Sequence, residues 1–187
     1  MRFLYGFATA IAVMALALLV LARGGYNVAA TERHSPMMAS LLHGAMRESV
    51  RQRAAGIEVP APVDEERLSE GFIHFNAMCI ECHGGPGIEP GESGQGLEPR
   101  PPSLARAAQR WSAAELFWIV KHGVRMTGMP AFGPTHSDEQ LWDIVAVLQQ
   151  LPHLDAQSYR ARVAPSRGSH HDSLDAPAEG AGGSHHH

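Results

Sequence analysis

Cys79-Ile80-Glu81-Cys82-His83 contains the only two cysteines of the 187-residue chain, three positions apart, with a histidine directly after the second. Three chemistries use such a group. A thioredoxin-like dithiol needs its C-x-x-C pair at the start of a helix that follows a strand. Here an apolar helical stripe ends on the motif, and no β-α-β pattern surrounds it. Structural zinc needs four ligands, and two cysteines with scattered histidines do not supply them at matching spacing. The third chemistry is covalent attachment of a c-type haem. Two thiols one helical step apart meet the two vinyl groups of a porphyrin edge, and the adjacent imidazole is delivered to the iron. The motif points to that use. The other axial position then decides between an electron carrier, closed on both faces, and a gas binder or peroxidase with an open site. Met126 and Met129 both fall in the glycine-rich stretch 123–133. Met129 is the favoured ligand, because Pro130 fixes the backbone after it and Gly128 permits close approach. Met126, His122 and His136 are the alternatives.

The elements that must position these groups read as helices. Asp64 opens a helix with Glu65 and Glu66 in its first turn, and Leu68, Phe72, Phe75 and Cys79 recur on one face. Residues 84–103 hold 6 Gly and 5 Pro in 20 positions, which predicts a long loop. Ser112 caps a helix over about 112–122 through Leu116, Phe117 and Val120. Ser137, with Gln140 three residues on, caps another over about 137–150 through Leu141, Ile144, Val145 and Leu148. No strand pattern and no repeat stands out.

Outside this block the chain divides into appendages. Phe3 to Ala22 is 20 residues without a charge, enough to span ~30 Å as a helix. The stretch 1–24 therefore reads as a transmembrane anchor or an uncleaved signal segment. A cleavable signal would have a shorter apolar core, and the small-residue site Val28-Ala29-Ala30 lies well beyond this one. In 25–63, Ser35-Pro36 starts an amphipathic helix carrying Met38, Leu41, Leu42, Ala45, Met46 and Val50, with Arg47, Arg51 and Arg53 at its far end. That helix reads as a lipid-head-group contact, a subunit contact or a plain spacer. Pro60 and Pro62 then stiffen a linker. The region 153–187 reads as a His-containing tail, disordered from roughly 163. Its His170, His171 and His185 to His187 are candidate Zn, Cu or Ni ligands, or a harmless tail.

Composition narrows the partners. Net charge is -4, and residues 64–152 hold 12 acidic against 6 basic residues, so nucleic acid is excluded as a partner by bulk charge. Lys121 is the one lysine among 15 basic residues, which argues against a lysine-ringed docking face.

Residues 64–152 resemble a bacterial class I c-type cytochrome, mono-haem and here membrane-anchored. The resemblance is carried by Gly71 and Phe75 ahead of Cys79-Ile80-Glu81-Cys82-His83, by Pro101-Pro102-Ser103-Leu104, by Lys121-His122-Gly123 leading into Gly128-Met129-Pro130-Ala131-Phe132, and by Leu141-Trp142-Asp143-Ile144-Val145. It implies an all-α class I cytochrome c fold with one haem c bound through Cys79 and Cys82 and ligated by His83 and Met129. The Pro102 carbonyl would accept the His83 Nδ1 proton. The first and last helices of the domain would cross near Gly71, opposite Ile144 and Val147. Trp111, Arg100 and Arg106 become candidates for the haem propionates, and Phe72, Phe75, Phe117, Trp118, Phe132 and Trp142 for an aromatic wall. A haem-facing tyrosine found in some relatives has no counterpart in 64–152.

The implied activity is one-electron transfer by a carrier rather than an enzyme. The implied location is the bacterial inner membrane, crossed once, with the haem domain in the periplasm. Redox donor and acceptor proteins of a respiratory or oxidative chain are the implied partners. The alternatives are the cytochrome subunit of a larger membrane oxidoreductase, a haem sensor or peroxidase with a labile sixth ligand, and metal handling by the tail.

Overall fold

The computed structural model describes residues 2–164 and is helical, with no β-strand among the described residues. Helix α1 (Arg2–Ala22) buries none of its side chains and is long and apolar enough to cross a membrane. Helix α2 (Pro36–Ala54) has the Ser35 cap and Pro36 at its first position, as its sequence requires.

The domain proper is built on α3 (Glu65–Met78), α7 (Ala113–His122) and α8 (Asp138–Gln150). Asp64 accepts from the Arg67 amide to start α3, and the capping boxes Ser112/Glu115 and Ser137/Gln140 start α7 and α8. Between them lie the short helices α4 (Ile80–His83), α5 (Glu92–Gln95) and α6 (Leu104–Ala108), set into the glycine- and proline-rich loop.

Leu68, Phe72 and Phe75 from α3 meet Leu116, Phe117 and Val120 from α7 and Leu141, Ile144, Val145, Val147 and Leu148 from α8 in one buried core. The α3–α8 crossing is possible because residue 71 is glycine. A Cβ there would lie 2.5 Å from the Asp143 carbonyl oxygen and 3.1 Å from Val147 Cγ2. The nearest atoms opposite Gly71 belong to Asp143 and Val147, and Ile144, next to Asp143, is fully buried in the same core. Arg67 on α3 reaches across to the buried Asp143, with Nη2 2.6 Å from Oδ1.

Both ends of the domain extend past the sequence expectation. The chain does not become an unstructured tail at 153. A 3-10 turn (Leu151–His153) leads into α9 (Ala156–Val163), capped by Asp155, whose carboxylate accepts from the Ser158 amide. Tyr159 and Val163, one turn apart, are buried against the core. Tyr159 is fully covered and meets Phe72 and Phe75 edge-on, while Arg162 pairs with Glu65 and lies over the Phe72 ring. Loss of hydrophobic density after Pro152 concealed this short element, although Asp155 with Tyr159 and Val163 carries a cap and an i, i+4 pair. The part of the tail placed from 165 onward, with its histidines, lies outside the described residues.

At the other end, α2 docks on α7. Val50 and Ala54 are buried there, Arg47 lies 5.8 Å over the Trp111 ring, and Arg51 Nε is 3.8 Å from Glu115 Oε1. Arg53 bonds back to Ser49 within its own helix. The arginines that read as a subunit or lipid contact are engaged inside the chain.

Candidate functional site

Helix α3 ends on Cys79, which keeps a right-handed helical backbone as the junction to α4. The turn continues through Cys79, Ile80, Glu81, Cys82 and His83, with the His83 amide bonded to the Cys79 carbonyl at 2.9 Å. This is why the C-x-x-C-H spacing matters: one helical turn keeps both thiols and the imidazole on a single short rigid segment. Gly84, with φ of 64°, ends it. Both thiols are free. Burial, and secondarily the neighbouring Cys82, push the Cys79 thiol up to about 12, so it is protonated at neutral pH.

His83 is half-buried, and its Nδ1 lies 2.9 Å from the Pro102 carbonyl. A carbonyl only accepts, so the imidazole donates from Nδ1 and Nε2 keeps its lone pair. Burial lowers the pKa of His83 and the Pro102 bond opposes that shift, so the neutral, ligating form is favoured. Such a carbonyl bond fixes both the tautomer and the ring plane of a metal-binding imidazole.

A cavity of about 520 Å³ borders His83, lined by Ile88, Leu104 and Leu151 together with Glu89, Ser103 and Arg106. That volume is in the range of small-molecule and cofactor sites (about 300–1,000 Å³). Arg106 is thus placed beside the site, whereas Arg100 is exposed outside this lining and Trp111 is engaged by Arg47. The six aromatic residues expected as a wall make their contacts within the helical core and its loops. Phe117 and Trp142 stack at 4.3 Å, Phe72 and Phe75 face Tyr159, Phe132 meets His136, and Trp118 lies against His122.

The two methionines separate cleanly. Met126 is 82% exposed and sits at φ of 60°. Met129 is half-buried and packs against the core, its amide bonded to Thr127 Oγ1 and its carbonyl accepting from Val124. Gly123 makes this loop possible, since a Cβ there would lie 2.6 Å from the Pro130 carbonyl carbon. Of the expected site residues, Cys79, Cys82 and His83 share one helical turn, His83 meets the Pro102 carbonyl, and Cys79 and Met129 both pack against the buried core.

Sequence reasoning missed Tyr159, which lies beyond the expected domain end. It packs next to the attachment segment, with its ring 3.7 Å from where a Gly85 Cβ would stand and its hydroxyl donating to Asn76 Oδ1 at 3.3 Å. Among the described residues no group of three or more His, Cys, Asp or Glu gathers in one place. Two free thiols and an imidazole fixed through Nδ1 on one helical turn fit a covalently held porphyrin.

Residues 66–147 match the family model described as "Cytochrome C oxidase, cbb3-type, subunit III". No curated protein sequence matches the chain significantly.

Proposed function

Taking residues 66–147 as the c-type cytochrome domain that this match identifies, we propose that the chain is a membrane-tethered one-electron carrier of the bacterial periplasm. Cys79 and Cys82 would hold a single haem c through thioethers, and His83 and Met129 would bind its iron. The observation that carries this reading is the C-x-x-C-H turn with His83 Nδ1 held by the Pro102 carbonyl. A bound haem c supplies the Fe(II)/Fe(III) couple that takes up one electron and gives one back.

The chain's own residues keep that exchange simple. His83 cannot turn, because its Nδ1 proton is committed to a main-chain acceptor. Met129 is the ligand rather than Met126, because Thr127 and Val124 fix its backbone while Met126 points its apolar side chain into solvent. The buried faces of α3, α7 and α8 exclude water. Helix α1 serves as the anchor, which puts the domain on the exported side, where c-type attachment takes place.

A second reading, the cytochrome subunit of a larger membrane oxidoreductase, is favoured by the matched family, which is that of an oxidase subunit. Under either reading the electrons pass between redox proteins of a respiratory or oxidative chain.

Visible and near-infrared spectra of the purified oxidised and reduced protein test the ligand set. The expected result is a weak sulfur-to-iron band that Met129→Ala removes and Met126→Ala leaves. Absence of the band in the wild type, or ready CO binding to the reduced protein, refutes the closed carrier site and favours a sensor or peroxidase. A partner that stays bound through purification from solubilised membranes favours the subunit reading.

A further inference from the structure

Helix α2 presents two faces, and only one has a partner. At about 100° per residue, Met46, Val50 and Ala54 share the side that docks on α7, joined by Arg47. Met37, Met38 and Leu41 lie on nearly the opposite side of the first three turns, Leu42 lies at the edge of that stripe one turn before Met46, and Met37, Met38, Leu41 and Leu42 are 80%, 42%, 66% and 42% exposed. From Pro36 to Met46 there is no Lys, Arg, Asp or Glu.

The chain itself says what is near this stripe. Only 13 residues, 23–35, separate the last residue of α1 from Pro36, a reach of at most about 45 Å when fully extended. They are not extended. The Gly25 amide turns back to the Val20 carbonyl, and the Tyr26 hydroxyl lies 3.2 Å from His34 Nδ1, closing residues 26–34 into a loop. Tyr26 follows the apolar span at the level where aromatic residues sit in an interface. The start of α2 is therefore held close to where α1 leaves the bilayer.

We propose that the first three turns of α2 lie in the bilayer interface, with Met37, Met38, Leu41 and Leu42 in the acyl boundary. The inference rests on α1 being a retained anchor. Because the other face of α2 is fixed to α7 by Val50, Ala54, Arg47 and Arg51, the helix then sets the tilt of the whole domain on the membrane rather than leaving it on a free tether. With no basic residue on the stripe, seating comes from apolar burial and not from anionic head groups.

The test uses full-length haem-loaded protein in phosphatidylcholine vesicles, with and without phosphatidylglycerol. Nitroxides are placed singly through Leu41→Cys, Met38→Cys, Glu48→Cys, Gln52→Cys and, in α1, Leu16→Cys. Accessibility to oxygen against a water-soluble nickel chelate is then measured. The expected oxygen-to-nickel ratio is several-fold higher at residues 38 and 41 than at 48 and 52, and the same in both lipid mixtures. If residue 16 is lipid-embedded but 41 matches 48, the α2 proposal is overturned and the anchor stands. If residue 16 is itself in water, the anchor reading fails and this inference with it. Dipolar broadening at residue 41 that disappears on dilution with unlabelled protein assigns the stripe to a second copy and overturns lipid as its occupant.

Discussion

Gly71→Ala is the substitution on which the helix-crossing argument stands or falls. In an isolated helix, alanine in place of glycine gains about 0.8–1 kcal/mol. At this position the new methyl lies 2.5 Å from the Asp143 carbonyl oxygen and 2.8 Å from its carbon, both main-chain atoms of α8. Main chain cannot swing aside as a side chain can, so α3 and α8 must part by ~1 Å to restore ordinary contact at 3.4 Å. That displacement opens the seam between Phe72 and Phe75 on one side and Ile144 and Val147 on the other. Overpacking of this kind costs about 1–3 kcal/mol or more, and here it acts on the most extensively packed helix pair. With main chain as the obstacle the cost falls in the upper part of that range, about 2–3 kcal/mol, so the net effect after the propensity gain is a loss of about 1–2 kcal/mol. For a domain of this size each 1 kcal/mol lowers Tm by about 4–8 °C. Thermal unfolding of the haem-loaded protein followed by far-UV circular dichroism measures it. Gly44→Ala, where nothing lies within 4 Å, is the control and leaves Tm unchanged or slightly raised. A Gly71→Ala protein as stable as the wild type refutes the close crossing.

Burial pushes the Tyr159 hydroxyl up to about 12 from an ordinary value of 10, so the folded state resists its ionisation. Stability is then complete below pH 10 and falls between pH 10 and 12, by at most about 2–3 kcal/mol, and Tyr159→Phe removes that alkaline step in denaturant titrations. Val50→Ala unseats α2 from α7, so limited proteolysis cuts faster between residues 40 and 63 while the haem spectrum is unchanged. Arg51→Ala, which loses only a half-exposed pair at 3.8 Å, leaves that cleavage rate nearly unaltered. Asp155→Ala removes the α9 cap, and hydrogen exchange at the Ser158 and Tyr159 amides accelerates by a factor reflecting about 1 kcal/mol.

The three main helices and their starts were legible because each carries a strong local signal. The motif-bearing stripe Leu68-Phe72-Phe75 and the boxes at Ser112 and Ser137 are decided by residues within one or two turns. The attachment turn was legible for the same reason, since Cys79, Cys82 and His83 need nothing distant to be one segment. What escaped the sequence depends on long-range packing. No local pattern distinguishes the Phe117–Trp142 stack from a cofactor wall, and Tyr159 gains its burial only from Phe72 and Phe75, more than 80 residues earlier. Arg47 and Arg51 read as a free basic patch until Trp111 and Glu115 meet them.

The additions at the two ends follow from domain size. A chain of fewer than 100 residues buries too small a share of its surface to be amply stable on its own helices. On the α7 side, α2 covers its exposed face with Val50 and Ala54. On the α3 side, α9 covers Phe72 and Phe75 with Tyr159. Removing either cover leaves the attachment turn chemically intact, because Cys79, Cys82, His83 and the Pro102 carbonyl all lie within residues 79–102. The two covers therefore tune how firmly the site is held and at what angle it is presented, and sequence outside the motif can change those properties without changing the chemistry of the site.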